Sequence, residues 1–121
     1  MSDTQNRWPT EIRLNPDKDT LFVEFVDGRA FSLRAEFLRV HSPSAEVQGH
    51  SPEERKILGG KRRVTIASIE PTGNYAIRLG FSDGHGTGIY TWAYLSELGE
   101  GHDALWADYL AELEKRGLKR D

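Results

Sequence analysis

The sequence contains no cysteine, and this absence removes several kinds of chemistry. Without a thiol there is no disulfide, no thiolate ligand for zinc or an iron–sulfur cluster, and no cysteine nucleophile. Long apolar runs are also missing, and no stretch reaches the length that spans a membrane. The first eight residues contain no apolar run, so we expect neither a secretory signal nor a membrane partner. We predict a cytoplasmic protein, with a protein whose targeting peptide has been removed as the alternative.

An excess of positive charge is absent as well. The 121 residues include 16 Lys and Arg against 19 Asp and Glu, which gives a formal net charge of −3. Nucleic-acid-binding domains usually carry a basic excess, so we expect no nucleic-acid partner. Hydrophobic residues make up 37% of the chain, which is enough for one modest core. We therefore predict a single small globular domain.

Alternating apolar residues predict antiparallel strands over much of the chain. Leu21, Val23 and Phe25 fall on one face of a strand, and Asp27-Gly28 is typical of a type I′ hairpin turn. A second alternation runs over residues 75–81, and a glycine-rich loop comes after it. Residues 41–60 show no regular pattern and are predicted to form a long surface loop, a kind of segment that often carries function. No internal repeat is evident.

Helical patterns dominate the end of the chain. Thr91 is predicted to cap a short helix that Gly99 stops, and Asp103 to cap the last helix. A chain in which the strands come first and the helices come mostly last is typical of an α+β fold. We predict a mainly antiparallel sheet with helices packed on one side. The last helix is amphipathic, so it packs on the parent sheet of a monomer or forms a homodimer. Its apolar stripe consists of Leu105, Trp106, Tyr109, Leu110 and Leu113.

Catalytic motifs are not found at a recognisable spacing. Gly84-His85-Gly86-Thr87-Gly88 lacks the spacing of a phosphate-binding loop, and a strand rather than a helix is predicted after it. Gly59-Gly60-Lys61-Arg62 matches only the end of a P-loop, with Arg62 in place of the Ser or Thr that holds magnesium. We predict that Lys61-Arg62-Arg63 is a solvated strand entry, with contact to an anion or an acidic partner as the alternative. There is no Gly-x-Ser-x-Gly elbow, and the four histidines lack the spacing of a helical metal pair.

Four segments resemble the gamma-butyrobetaine hydroxylase-like N-terminal domain family: residues 9–12, 38–46, 69–75 and 83–90. The resemblance runs from about Pro9 to Leu98, and we predict a flexible tail at 1–10, the family domain at 11–99 and a C-terminal helical extension at 100–121. In the hydroxylases this domain precedes a catalytic iron and 2-oxoglutarate dioxygenase domain. Elsewhere it is appended to P-loop iron–sulfur carrier proteins, and in its bacterial branch it is often the whole protein.

The resemblance implies a non-catalytic accessory or binding module with a protein partner connected with iron or iron–sulfur metabolism. The family's zinc is bound by three cysteines and one histidine, and the match places Ser42, Ser44 and Val47 at the cysteine positions and His85 at the histidine position. Serine hydroxyls are poor zinc ligands at neutral pH and valine is none. We therefore expect no tightly bound cofactor.

Two interpretations of these loops stay open. In one, His41 and His85 bind iron or zinc weakly, with Asp83 or Glu46 as an oxygen donor. In the other, His85 forms a hydrogen bond with the serine loop in place of the metal. A third hypothesis is an enzyme with an unrecognised site, which requires a pocket with converging polar groups. The predicted binding loops consist of Ser42, Pro43, Ser44, Asp83, Gly84, His85 and Gly86.

Overall fold

A computed structural model describes residues 8–121, except for the side chain of Pro52, so most of the predicted tail at 1–10 lies outside the described residues. The first half of the chain forms three strands and two short helices. The second half forms three strands and two longer helices. In chain order the elements are β1 (Pro9–Leu14), β2 (Thr20–Phe25), β3 (Ala30–Arg34), α1 (Ala35–Val40), α2 (Ala45–Gln48), a 3-10 turn (Pro52–Glu54), β4 (Ile66–Thr72), β5 (Ala76–Phe81), β6 (Gly88–Thr91), α3 (Trp92–Glu100) and α4 (His102–Lys115).

The strands form two antiparallel sheets, with the orders β1-β2-β3 and β4-β5-β6. The predicted α+β class and the C-terminal helix are therefore confirmed, although the strands divide into two sheets of three. In the first sheet Val23 pairs with Phe31, and in the second Leu79 pairs with Gly88. The two sheets are joined where the Ile66 N–H donates a 2.8 Å hydrogen bond to the carbonyl of Lys18.

The two halves of the fold repeat one pattern, which corrects the expectation that the chain has no repeat. Each half runs through three antiparallel strands and then enters a helix. The central strands also share a sequence pattern, in which three alternating apolar residues precede Asp-Gly by a fixed spacing. The residues concerned are Leu21, Val23, Phe25, Asp27 and Gly28 in one half, and Ile77, Leu79, Phe81, Asp83 and Gly84 in the other. All six apolar side chains are buried, so the repeat reflects equivalent positions in the core.

The turn at Asp27-Gly28 differs from the predicted type. A type I′ turn requires a positive φ at both central residues. Gly28 has φ +91°, but Asp27 is not among the residues with positive φ. The Gly28 N–H donates to the carbonyl of Phe25, and the Phe25 N–H donates to the carbonyl of Arg29. The prediction of a type I′ turn is wrong, and the connection is a three-residue hairpin loop closed by a left-handed glycine.

The hydrophobic core lies between both sheets and helices α1 and α3. It includes Leu33 and Phe37 from the first half and Tyr90 and Leu95 from the second. All six residues of α1 are buried, among them the charged side chains of Glu36 and Arg39. The helix therefore brings a buried cation to the face of the molecule where the loops meet.

The boundaries of the last two helices were predicted only in part. Thr91 caps α3 as predicted, since its hydroxyl accepts a hydrogen bond from the Tyr94 N–H. Gly99 does not stop the helix, which continues to Glu100. A Cβ on Gly99 would lie 2.4 Å from the ring of Phe31, so glycine at this position permits the helix to approach β3 closely.

Helix α4 begins at His102, so the prediction that Asp103 caps it is wrong; Gly101 occupies the N-cap without a side-chain hydrogen bond. The buried residues Tyr109 and Leu113 pack with Val40, whereas Leu110 of the predicted stripe is exposed. Within residues 8–121, no helix combines the length and the apolar character needed to cross a membrane. The division at residues 99 and 100 stays a prediction.

Candidate functional site

Two loops meet at the end of helix α1. One comes directly after α1 and contains Ser42, Pro43 and Ser44; the other joins β5 to β6 and contains residues 82–87. We call these two segments the loop pair. Their central contact is a 2.8 Å hydrogen bond between Ser42 Oγ and His85 Nε2. Ser42 is fully buried and His85 is 8% exposed, so the contact is shielded from water.

The other ring nitrogen of His85 fixes the direction of this hydrogen bond. His85 Nδ1 lies 3.1 Å from Glu46 Oε1, and a carboxylate only accepts hydrogen bonds. Nδ1 therefore carries the proton in the neutral ring, and Nε2 accepts from the Ser42 hydroxyl. Burial lowers the pKa of His85, and the neighbouring charge of Arg39 lowers it further, while Glu46 and Asp83 oppose this change. The imidazole is accordingly neutral near pH 7.

The Ser42–His85–Glu46 chain has the connectivity of a serine hydrolase triad, with a hydroxyl, an imidazole and a carboxylate in order. A nucleophile must, however, be reached by its substrate. Ser42 has no exposed surface, and its Oγ also accepts a 3.3 Å hydrogen bond from the Ser44 N–H. In the described fold the chain of hydrogen bonds therefore joins two loops and offers no accessible nucleophile.

A second pair of hydroxyls joins the same loops. Ser44 Oγ lies 2.7 Å from Thr87 Oγ1, and it also caps α2 by accepting a hydrogen bond from the Glu46 N–H. The Gln48 side-chain amide donates a 2.8 Å hydrogen bond to the carbonyl of Ser42. A Cβ on Gly88 would lie 2.5 Å from Ser42 Oγ, so glycine permits the loops to approach this closely.

Asp83 anchors the loop pair to two cations. Its Oδ2 accepts hydrogen bonds from Arg39 Nε at 2.8 Å and from Lys61 Nζ at 2.7 Å, and its Oδ1 accepts from the His85 N–H at 3.1 Å. Burial opposes ionisation of the carboxyl, but the hydrogen bonds from Lys61, the His85 N–H and Arg39 together lower the pKa of Asp83 to about 2. Asp83 is thus an ionised centre of the site.

His41 is the C-cap residue of helix α1, and its ring contacts a different set of residues. Its Nδ1 donates a 2.9 Å hydrogen bond to the carbonyl of Phe37, and its ring contacts the rings of Phe37 and Tyr109. Burial lowers the pKa of His41, so the ring is neutral near pH 7. Nε2 then keeps a lone pair, and it is buried without a hydrogen-bond partner among the described residues.

The donor set does not fit the zinc that the resemblance implies. Ser42 and Ser44 use their hydroxyls in hydrogen bonds between the loops, and Val47 is a buried apolar side chain of α2. Across residues 8–121, no group of three or more His, Asp or Glu side chains is placed to hold a metal ion. The loops are instead joined by hydrogen bonds at the positions where the resemblance implies metal ligands.

Sequence reasoning missed two cations of the site. Arg39 is buried in a helix that the pattern left ambiguous, and its nearness to Asp83 joins positions 44 residues apart. Lys61 was predicted to be solvated, but its side chain is 21% exposed and is bound to Asp83. No local motif signals either contact, because both arise from the packing of distant segments.

The sequence comparisons support one family. The family model described as "Gamma-butyrobetaine hydroxylase-like, N-terminal" matches residues 12–96. None of the curated proteins matches the chain significantly.

Solved structures give the same result. An NMR solution structure of a protein is 49% identical, with a TM-score of 0.81, and the match covers 93% of this chain and 89% of the other. A second NMR structure is 41% identical, with a TM-score of 0.79 and coverage of 93% and 83%.

A crystal structure from Acidithiobacillus ferrooxidans is 38% identical, with a TM-score of 0.66, and the match covers 78% of this chain and 96% of the other. That protein is described as having unknown function and belonging to the DUF971 family. The family match spans well over half of the chain, and it includes every residue of the loop pair. The chain is therefore a member of the gamma-butyrobetaine hydroxylase-like N-terminal domain family.

Proposed function

We propose that this protein is a non-catalytic accessory module that binds a protein partner through the loop pair. One observation carries the proposal. The hydroxyl, imidazole and carboxylate of Ser42, His85 and Glu46 are bound to one another, and Ser42 is fully buried. Loops held in one shape lose little conformational entropy on binding, which favours recognition of a partner. That the partner is connected with iron or iron–sulfur metabolism rests on analogy with the family's neighbours alone.

Site-specific photo-crosslinking in the native host tests this proposal. Ala45 is exposed and lies directly beside Ser44, so a photoreactive residue there samples the surface of the loop pair. Val26 is exposed on the Asp27-Gly28 turn and is the matched control position. We expect a cross-linked protein from position 45 that is absent from position 26. Identical products from both positions, or none from either, would contradict the proposal.

Weak binding of iron or zinc by His41 and His85 is the second candidate function. Its support is the buried lone pair of His41 Nε2, which has no hydrogen-bond partner in the described part of the chain. Elemental analysis of untagged protein purified without oxygen tests this alternative. Near-stoichiometric metal that disappears in His85→Ala would favour it, and metal-free folded protein would exclude it.

A further inference from the structure

The charges of this chain are distributed very unevenly. Residues 55–63 and 115–121 together contain nine of the 16 Lys and Arg and only one of the 19 Asp and Glu. The remaining residues hold seven basic and 18 acidic side chains, a formal charge of −11. The net charge of −3 therefore hides two strongly basic segments of the sequence.

The fold brings these two basic segments together. The Gly60 N–H donates a 2.9 Å hydrogen bond to the carbonyl of Lys119, and the Arg62 N–H donates a 3.0 Å hydrogen bond to the carbonyl of Arg120. Gly59 makes the contact possible, because a Cβ there would lie 2.7 Å from the Lys119 carbonyl oxygen. We call residues 55–63 and 115–120 the basic face.

Much of this positive charge is not neutralised within the protein. Arg120 is paired with the buried Glu36, Lys61 with Asp83, Arg116 with Glu112, and Arg62 with Asp121. Four further cations are exposed, and their side chains have no ion pair or hydrogen bond with any residue in 8–121. These four are Lys56, Arg63, Lys115 and Lys119.

An apolar side chain lies among these cations. Leu118 is 41% exposed, and it comes after Lys115 and Arg116 and directly before Lys119. The basic face also continues into the loop pair, since Lys61 Nζ lies 2.7 Å from Asp83 Oδ2. The basic face and the loop pair therefore adjoin at Lys61.

We propose that the basic face docks an acidic protein segment, rich in Asp and Glu and carrying an apolar side chain that contacts Leu118. This inference rests on the proposed accessory function and adds the chemistry of the partner. Complementary charge steers such a segment to the face and sets its orientation. The exposed leucine adds an apolar contact that favours a protein segment over a nucleic-acid strand. A long polyanion would also meet the rest of the chain, whose residues sum to a formal charge of −11.

Fluorescence anisotropy tests this inference with a labelled peptide that is rich in Asp and Glu and contains one leucine. Wild-type protein is expected to bind it with an affinity that falls as salt rises. The double variant Lys115→Glu/Lys119→Glu should bind roughly tenfold or more weakly. Arg13→Glu/Arg78→Glu changes the net charge equally on exposed strand positions and should leave the affinity within about twofold. Thermal unfolding checks that both variants are folded.

Leu118→Ser separates the apolar contact from the charge. This variant should weaken binding of the leucine-containing peptide and leave a matched peptide with serine unaffected. Absence of peptide binding, equal losses in the two charge variants, or tighter binding of oligothymidylate than of the peptide would each overturn the inference. Cross-linking from Ala45 does not depend on partner charge, so a cross-linked partner with no peptide binding would leave the accessory function standing.

Discussion

The two halves of the molecule contain the same hairpin turn, but the residues that follow the turn make different contacts. In residues 25–29 and 81–85 the glycine N–H donates to the phenylalanine carbonyl, and the phenylalanine N–H donates to the carbonyl of the fifth residue at 2.8 Å. Each aspartate accepts the N–H two residues later at 3.1 Å. Gly28 and Gly84 have φ values of +91° and +93°. The backbone of the turn is therefore the same in both places.

The segments after the two glycines differ in length and in their contacts. After Gly28 comes Arg29, and β3 begins immediately afterwards; the Arg29 guanidinium extends over the surface to Ser96 and Glu100 of α3. After Gly84 comes His85, and two further residues precede β6. This longer connection reaches the serine loop, where Thr87 contacts Ser44. The second turn therefore differs from the first in its contacts, because a longer connection and a buried imidazole join it to the serine loop.

The sharpest test of this comparison is the pair Asp83→Ala and Asp27→Ala. Removing the Asp83 carboxylate leaves Arg39, whose side chain is 10% exposed, without its counter-ion, and we expect a loss of about 3 kcal/mol in the free energy of unfolding. Asp27 pairs with Arg29 at the surface, where solvent screens the pair, so its loss should cost much less than that of Asp83. Urea unfolding measures both. Equal costs would mean that the second turn contributes no more to stability than the first.

His85→Ala and Arg29→Ala compare the residues that come directly after the two glycines. Without His85 the buried Ser42 hydroxyl loses its acceptor and a cavity is left, so we expect a loss of about 2 kcal/mol. Arg29→Ala removes contacts of a partly exposed side chain and should cost about 1 kcal/mol or less. Urea unfolding again measures both variants. A larger loss of stability in Arg29→Ala would mean that the contacts of the first turn with α3 stabilise the fold more than the Ser42–His85 contact does.

The pH dependence of stability should originate in the second turn. The pKa of Asp83 is lowered from 3.8 to about 2 in the folded protein, so its stabilising contribution is complete above the unfolded value and is lost as the pH falls from about 4 towards 2. With allowance for its partial exposure, the contribution is about 1–2 kcal/mol. The difference in unfolding free energy between wild type and Asp83→Asn should therefore shrink over this range. A constant difference would contradict the assignment.

The sequence predicted the class of the fold, because alternating and helical apolar patterns report directly on burial. Through the family resemblance it also predicted that His85 contacts the serine loop, and the Ser42–His85 hydrogen bond confirms this interpretation. It did not predict Arg39 or Lys61 as partners of Asp83, because ion pairs between distant segments have no local pattern. The repeat was missed because only the central strands share the sequence pattern. Phe31 and Gly88, which pair with the equivalent residues Val23 and Leu79, are already different.

The smallest expected difference is between Gly28→Ala and Gly84→Ala. Both glycines have left-handed φ values, and a Cβ would meet no atom within 4 Å at either position. Alanine should therefore cost about 1 kcal/mol in each turn through backbone strain alone. Urea unfolding of the two variants is expected to agree within about 0.5 kcal/mol. A much larger loss at Gly84 would show that the turn transmits strain to the Ser42–His85 hydrogen bond, and the two turns would then differ in their backbones as well as in their neighbours.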